Sequence, residues 1–286
     1  MSAGDHRAAA TFWLLEAPDS LAQQSRREPD GTGLGWFGED GRPRVDKQPI
    51  AAYEDRAFAR DARERRSRTF VAHVRFASTG GLAPANTHPF EQAGRLFAHN
   101  GVLGGLERLD ERLGEQRALV RGDTDSERLF ALITKETEAA GGDVTAGITA
   151  AARWAAAELP LFAINLVLVT ATGLWALRYP ETHDLFVLGR GAGGPHGGRH
   201  LDHASAARSI RVRSAGLAAH PAVVVATERM DEDPGWRPLA PGELIHVGPG
   251  LATTVTVAVP DPPAHPLTLA DLDAQAAASQ APAPAP

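Results

Sequence analysis

With 286 residues, 43% of them apolar, the chain is long enough to bury a substantial core, as one large domain or two small ones. A formal net charge of -6 and a pI near 6.0 argue against a nucleic-acid partner, which would show as a basic face, and the absence of cysteine excludes disulfides and thiolate metal sites. No apolar run reaches the roughly 18 residues a membrane-spanning helix needs, and the polar start from Met1 to Ala10 carries no export pattern, so composition points to a cytoplasmic protein with no membrane partner.

Taken in chain order, Ala8 to Ala17 bunches Phe12, Trp13, Leu14 and Leu15 ahead of Pro18-Asp19-Ser20, which predicts a short buried helix or strand. Arg26 to Gly41 reads as a turn-rich loop, and Glu54 to Arg68 as a solvated helix with one apolar stripe at Ala57, Phe58 and Ala62. Thr69 to Phe76 alternates and is β-branched enough for a strand, while Arg95 to Ala98 begins another that runs straight into His99-Asn100-Gly101. Thr124 is placed to cap a helix running to about Glu138, with Leu129, Phe130, Leu132 and Ile133 on its buried side, and Asp143 starts a second helix through Trp154 that ends before Pro160.

Leu161 to Thr170 and Leu174 to Tyr179, joined by Ala171-Thr172-Gly173, read as a hairpin too apolar to have a wet face, hence as a covered central pair. Further strands are predicted at Ala222 to Ala226, Glu243 to Val247 and Thr253 to Val259. Gly189 to Gly198 lacks the Gly-Lys-Ser/Thr of a phosphate loop and reads as a flexible surface loop; His196, His200 and His203 reach a metal set on count alone, but that glycine-rich setting favours solvent exposure. From Pro260 onward the chain is rich in proline and alanine, with a short helix expected at Leu267 to Ala278 and a disordered Ala-Pro end.

Four short clusters carry chemistry. Arg75 sits where a strand gives way to Phe76-Ala77-Ser78-Thr79-Gly80-Gly81, small residues that let backbone and ligand approach, so its guanidinium can fork onto a carboxylate. His88 precedes Pro89 in a stiffened turn and on its own reads as a loop-packing residue. Asn100-Gly101 pairs a side-chain amide with a glycine N–H, a two-donor pocket for a developing oxyanion, although the same dipeptide is also the commonest tight turn. Asp123-Thr124-Asp125-Ser126-Glu127 is a good helix start by itself, and an aspartate there can equally hold a substrate ammonium.

The order and spacing of the pieces say more than any one of them. Pro29 to Trp36, His73 to Gly81, Thr87-His88-Pro89-Phe90, Phe97 to Gly101 and Asp123 to Glu127 together resemble the class II glutamine amidotransferases, which are N-terminal nucleophile hydrolases, and most of all their stand-alone bacterial type. The resemblance implies a four-layer αββα sandwich over residues 1–260, followed by the Pro/Ala-rich tail 261–286. It also implies that Arg75 binds a glutamine α-carboxylate, that Asp125 binds the α-ammonium, and that Asn100 and the Gly101 N–H stabilise the tetrahedral oxyanion. Ser78 falls where the family has a hydroxyl near the carboxylate, and His88 where it has a pocket histidine. No cofactor is implied; the partners would be glutamine or a γ-glutamyl small molecule and a separate synthase subunit that receives ammonia.

The pattern breaks at the nucleophile. The family uses an N-terminal cysteine whose own α-amino group is the base, whereas this chain opens Met1-Ser2-Ala3-Gly4. Three readings follow. The start is an internal methionine, and a short segment with the cysteine and first strand precedes it; or Ser2 replaces the cysteine, although it falls several residues too late along the strand; or the chain is a pseudoenzyme that binds glutamine without cleaving it. On the first reading the substrate is glutamine or, as in relatives from thiol-histidine biosynthesis, a γ-glutamyl peptide-like compound, and the chain as written is inactive.

Overall fold

The computed structural model describes residues 1–77, 80–193, 202–204, 211–213 and 219–280. The strands are β1 (Gly31–Phe37), β2 (Pro43–Gln48), β3 (Phe70–Arg75), β4 (Phe90–Gln92), β5 (Arg95–Asn100), β6 (Pro160–Leu161), β7 (Asn165–Val169), β8 (Leu174–Leu177), β9 (Phe186–Arg190), β10 (Asp202–Ala204), β11 (Arg211–Arg213), β12 (Ala222–Ala226), β13 (Arg237–Pro238), β14 (Glu243–Val247), β15 (Thr253–Val257) and β16 (His265–Pro266). The α-helices are α1 (Leu21–Gln24), α2 (Arg56–Glu64), α3 (Leu106–Leu113), α4 (Asp125–Ala139), α5 (Val144–Glu158) and α6 (Ala274–Gln280).

One antiparallel sheet runs β15-β14-β8-β7-β5-β4. Its centre is the β7–β8 hairpin, which is apolar on both faces because both faces are covered. Leu166, Leu168 and Leu177 pack with Phe130, Ile133 and Ile148 of α4 and α5, while Val169, Ala176 and Ile245 turn the other way, toward Phe37 and Val71. The helices facing this sheet start as their sequences dictate: the Thr124 hydroxyl accepts the Glu127 N–H at 3.2 Å, and Asp143 Oδ1 accepts the Ala146 N–H at 3.0 Å.

The facing layer consists of two three-stranded sheets, β2-β1-β3 and β12-β9-β13, joined by the first residues of the chain. Ser2 bridges antiparallel to Thr69 and to Val223 at once; it exchanges hydrogen bonds of 2.7 and 2.8 Å with Val223, and the Phe70 N–H donates to Met1 O at 2.9 Å. Outside this layer a third core, built on Phe12, Trp13, Phe58, Phe70 and Val74, is covered by α2 and by the single π-helical turn Phe12–Glu16. Helices, sheet, sheet and helices in succession make the four-layer αββα sandwich.

Three stretches differ from their sequence reading, the first being Gly189 to Gly198, expected to be a surface loop, whose residues Gly189 and Arg190 end β9 and pair with β12. Arg26 to Gly41, expected to be a loop, contains β1, the central strand of its sheet. Glycine is depleted in strands, but here it is required: a Cβ on Gly33 would lie 2.0 Å from the His88 carbonyl oxygen, and one on Gly35 2.9 Å from Leu96 Cδ1. The helix expected over Leu267 to Ala278 is a 3-10 turn, Leu269–Asp271, followed by α6. His196, His200 and the Ala-Pro end 281–286 lie outside the described residues, and His203 falls on β10.

Candidate active site

β3 and β5 face each other across the space between the layers, and their chain-order ends bring Arg75 and Asn100 to the same edge of the sandwich. Arg75, His88, Asn100, Gly101 and Asp125 line one cavity there; Ser78 lies outside the described residues. Arg75 is buried, with Nη2 donating to Gly80 O at 3.2 Å and Nη1 to Gly81 O at 3.3 Å, so Gly80 and Gly81, at the far end of the turn after β3, close on the guanidinium. The base of that turn is pinned by Asp30, whose N–H donates to Arg75 O at 2.8 Å and whose Oδ2 accepts the Ala77 N–H at 2.9 Å. Burial lowers the Arg75 pKa, opposed by the negative charges of Asp30 and Asp125; an arginine so placed remains a cation.

Asp125 is the first residue of α4, where the helix macrodipole favours a carboxylate. Its Oδ2 accepts the Leu103 N–H and its Oδ1 the Ser126 N–H, both at 2.9 Å. Behind it lies a relay of hydrogen bonds. His99 Nε2 is 3.2 Å from Ala163 O, a group that only accepts, so Nε2 carries the proton and Nδ1 accepts the Ser126 hydroxyl at 2.9 Å. Burial holds the His99 pKa below its ordinary value, in keeping with this neutral tautomer. The turn before α4 is fixed by Glu127, whose Oε2 accepts the N–H groups of Arg121 at 3.0 Å and Gly122 at 2.6 Å.

Asn100 ends β5 opposite Asn165 of β7. Gly101 follows with φ +148°, and a Cβ there would lie 2.0 Å from the Ala163 carbonyl oxygen, so only glycine fits. His88 is buried with its ring 4.2 Å from that of His73 and 4.6 Å from that of Phe90. Burial first, then the neighbouring positive groups, drives the His73 pKa down to about 3 and that of His88 far below its ordinary value, so both rings are neutral at neutral pH. His73, His99, Ser126 and Asn165 were not singled out as site residues by sequence. For His73 the signal was present, because it precedes Arg75 by two on the same strand and so shares its face.

The cavity continues as a cleft in the composite layer. Met1–Ala3 pairs with the first part of β3 and the start of β12, but past Met1 those two strands are not paired with each other, and their edges from Val71 to Arg75 and from Val224 to Ala226 line the cavity. Of the first three residues Met1 alone lines it, its nitrogen donating to Phe70 O at 2.9 Å. Ser2 is fully buried in the strand pairing, and its Oγ accepts the Gly4 N–H at 3.3 Å.

A four-layer sandwich of this kind is the fold of the N-terminal nucleophile hydrolases. The chain belongs to the class II glutamine amidotransferases, whose family model matches residues 17–269. It is 36% identical over 126 residues to an uncharacterized protein of Methanocaldococcus jannaschii, covering 42% of this chain and 34% of that one. To the gamma-glutamyl-hercynylcysteine sulfoxide hydrolase of Mycolicibacterium smegmatis it is 27% identical over 245 residues, covering 82% of this chain and 88% of that one. Among solved structures, the glutamine aminotransferase class-II domain protein of Silicibacter pomeroyi superposes with a TM-score of 0.54 at 22% identity, covering 79% of this chain and 90% of that one, a likeness of fold.

Proposed function

We propose that this protein, in a form whose first strand carries a cysteine ahead of Met1, hydrolyses the side-chain amide of glutamine or of a γ-glutamyl compound through a thioester. The observation that carries this reading is the convergence of Arg75, Asp125, Asn100 and Gly101 on one cavity that continues into the cleft between β3 and β12. An extended segment continuing the Met1–Ala3 strand backward would run along Val71 to Arg75, in the register that Ser2 and Thr69 establish, toward those groups.

The steps follow from the groups. Arg75 takes the α-carboxylate and Asp125 the α-ammonium, with His88 packing the pocket wall and Ser78 supplying a hydroxyl near the carboxylate. The cysteine thiol gives its proton to the α-amine of the same residue, and the sulfur attacks the amide carbon. The carbonyl oxygen becomes an oxyanion that accepts hydrogen bonds from the Asn100 amide and the Gly101 N–H. The C–N bond then breaks as the nitrogen takes the proton, leaving as ammonia or an amine. Water, deprotonated by the same amine, attacks the thioester, and the thiol leaves with that proton to release the acid. Ammonia would pass to a separate synthase; the similarity to the Mycolicibacterium smegmatis hydrolase favours a substituted γ-glutamyl amide as the alternative substrate.

The test compares the chain as written with one extended in frame upstream. The extended chain should release glutamate, replacement of its cysteine by alanine should abolish turnover, and the chain as written should show at most the roughly 10³-fold residual enhancement of an oxyanion pocket. A stop codon directly before Met1, or an upstream frame without cysteine, sinks the nucleophile assignment. In that case the complete lack of cysteine favours a glutamine-binding pseudoenzyme, and calorimetry with glutamine on the chain as written decides for or against it.

A further inference from the structure

After its last sheet strand the chain folds back toward the cavity. Ala264 N–H donates to Ala156 O at 2.8 Å, β16 lies parallel to β6, and Leu267 N–H donates to Leu161 O at 2.8 Å. Leu267 and Leu272 then pack on Val102, Phe162 and Ala163. This patch is the underside of the site: Val102 follows Gly101, and the Ala163 carbonyl is the group that both receives His99 and closes on Gly101.

From that anchor α6 runs to the cavity itself, where Ser279 and Gln280 line the same space as Asn100, Gly101 and Asp125. Gln280, the last residue of α6, is only 6% exposed, and it is held by polar partners. Its Oε1 accepts from His183 Nε2 at 2.8 Å, and its Nε2 donates to Ser279 Oγ at 3.0 Å. His183 is in turn seated edge-on against Phe162, at 5.2 Å between ring centroids. A buried carboxamide costs free energy unless it is hydrogen-bonded, and a side chain that is so bonded makes a definite wall instead of a loose one.

We propose that the strap 265–280 closes one end of the substrate cavity and that Gln280 is a specificity-determining residue there, restricting the site to γ-glutamyl amides with small nitrogen substituents. This rests on the function proposed above and, of its two substrates, selects glutamine against the substituted γ-glutamyl amide. On this proposal a primary amide fits ahead of the Gln280–His183 pair, and a bulky group on the amide nitrogen would meet it.

The test is calorimetric binding of glutamine and of γ-glutamyl-p-nitroanilide to three proteins: the chain as written, Gln280→Ala, and a chain ending at Pro262. The anilide should bind the parent at least tenfold more weakly than glutamine, and that ratio should shrink about tenfold in both variants. Because truncation also uncovers Val102 and Phe162, Gln280→Ala carries the decision if the shortened chain fails to fold. Binding of both ligands with the same ratio in parent and Gln280→Ala overturns the proposal and leaves the glutamine site standing. Binding of neither ligand to any of the three overturns both.

Discussion

The Asp125 carboxylate accepts the backbone N–H of Leu103 at 2.9 Å, tying the start of α4 to the chain two residues beyond Gly101. The group proposed to hold a substrate ammonium and the donors proposed to hold its oxyanion are thereby set on one frame. A shift of either element would move both ends of the substrate pocket together, the preorganisation on which a two-point grip depends.

Asp125→Ala and Asp125→Asn separate that structural bond from ligand binding. The alanine variant leaves the buried Leu103 N–H without its acceptor and should lose about 1–3 kcal/mol in urea unfolding. The asparagine variant keeps a carbonyl oxygen and should lose less than about 1 kcal/mol, yet bind glutamine at least about tenfold more weakly, because the charge-assisted contact with the ammonium is gone. Glutamine binding by Asp125→Asn equal to that of the parent would remove Asp125 from the ammonium site.

Gly101→Ala tests the backbone. Its methyl group would meet the Ala163 carbonyl oxygen at 2.0 Å, at φ +148°, so the turn must move. Strain and overpacking together predict a stability loss of about 2–4 kcal/mol. The displaced Ala163 carbonyl also disturbs His99, which an NMR titration would report as a change in its ring shifts. A Gly101→Ala chain as stable as the parent, with unchanged His99 shifts, would contradict the close approach.

The paired imidazoles of His73 and His88 make stability depend on pH. Both pKa values are depressed by burial, so the folded chain refuses protons that the unfolded chain takes up below about 6.5, the ordinary histidine value. Stability is therefore complete above that pH and falls as the pH drops toward about 3, by up to about 1.4 kcal/mol per pH unit for each histidine. Urea midpoints measured from pH 7 to pH 4 should fall along this slope, and the His73→Asn/His88→Asn double variant should flatten it. An unchanged slope in the double variant would mean that other groups control the acid limb.

How much of this was legible in the sequence depended on whether local chemistry or tertiary contact decided the outcome. Thr124 and Asp143 cap their helices because the cap is a local bond, and the β7–β8 hairpin declared its two covered faces by being apolar throughout. β1 was hidden because Gly33 and Gly35 answer to His88 and Leu96, which lie far along the chain. Met1–Ala3 as a bridging strand was invisible for another reason: three residues carry no periodicity, and their pairing with Thr69 and Val223 is entirely non-local. The cavity residues Arg75, Asn100 and Asp125 were picked out by motif, whereas His99 and Ser126, adjacent to two of them, acquire their relay only when β5 and α4 meet. In the last segment a proline- and alanine-rich composition gave no sign that Leu267 and Leu272 would find Val102 and Phe162.

Arg75→Lys asks whether charge or geometry holds the substrate carboxylate. The guanidinium already donates from separate nitrogens to the carbonyls of Gly80 and Gly81, and its fork lets it meet a carboxylate in a defined plane while keeping that turn in place. A lysine supplies the same charge from one nitrogen and cannot satisfy both carbonyls and a bidentate acceptor together. Glutamine affinity should fall about 10–100-fold, with a stability change under about 1 kcal/mol. The control is 4-aminobutanamide, which has the amide and the ammonium but no carboxylate: it should bind parent and variant equally, because the interaction that Arg75→Lys weakens is one it cannot make. If the substitution weakens both ligands alike, Arg75 acts by shaping the turn at Gly80 and Gly81, and the carboxylate must be held by another group.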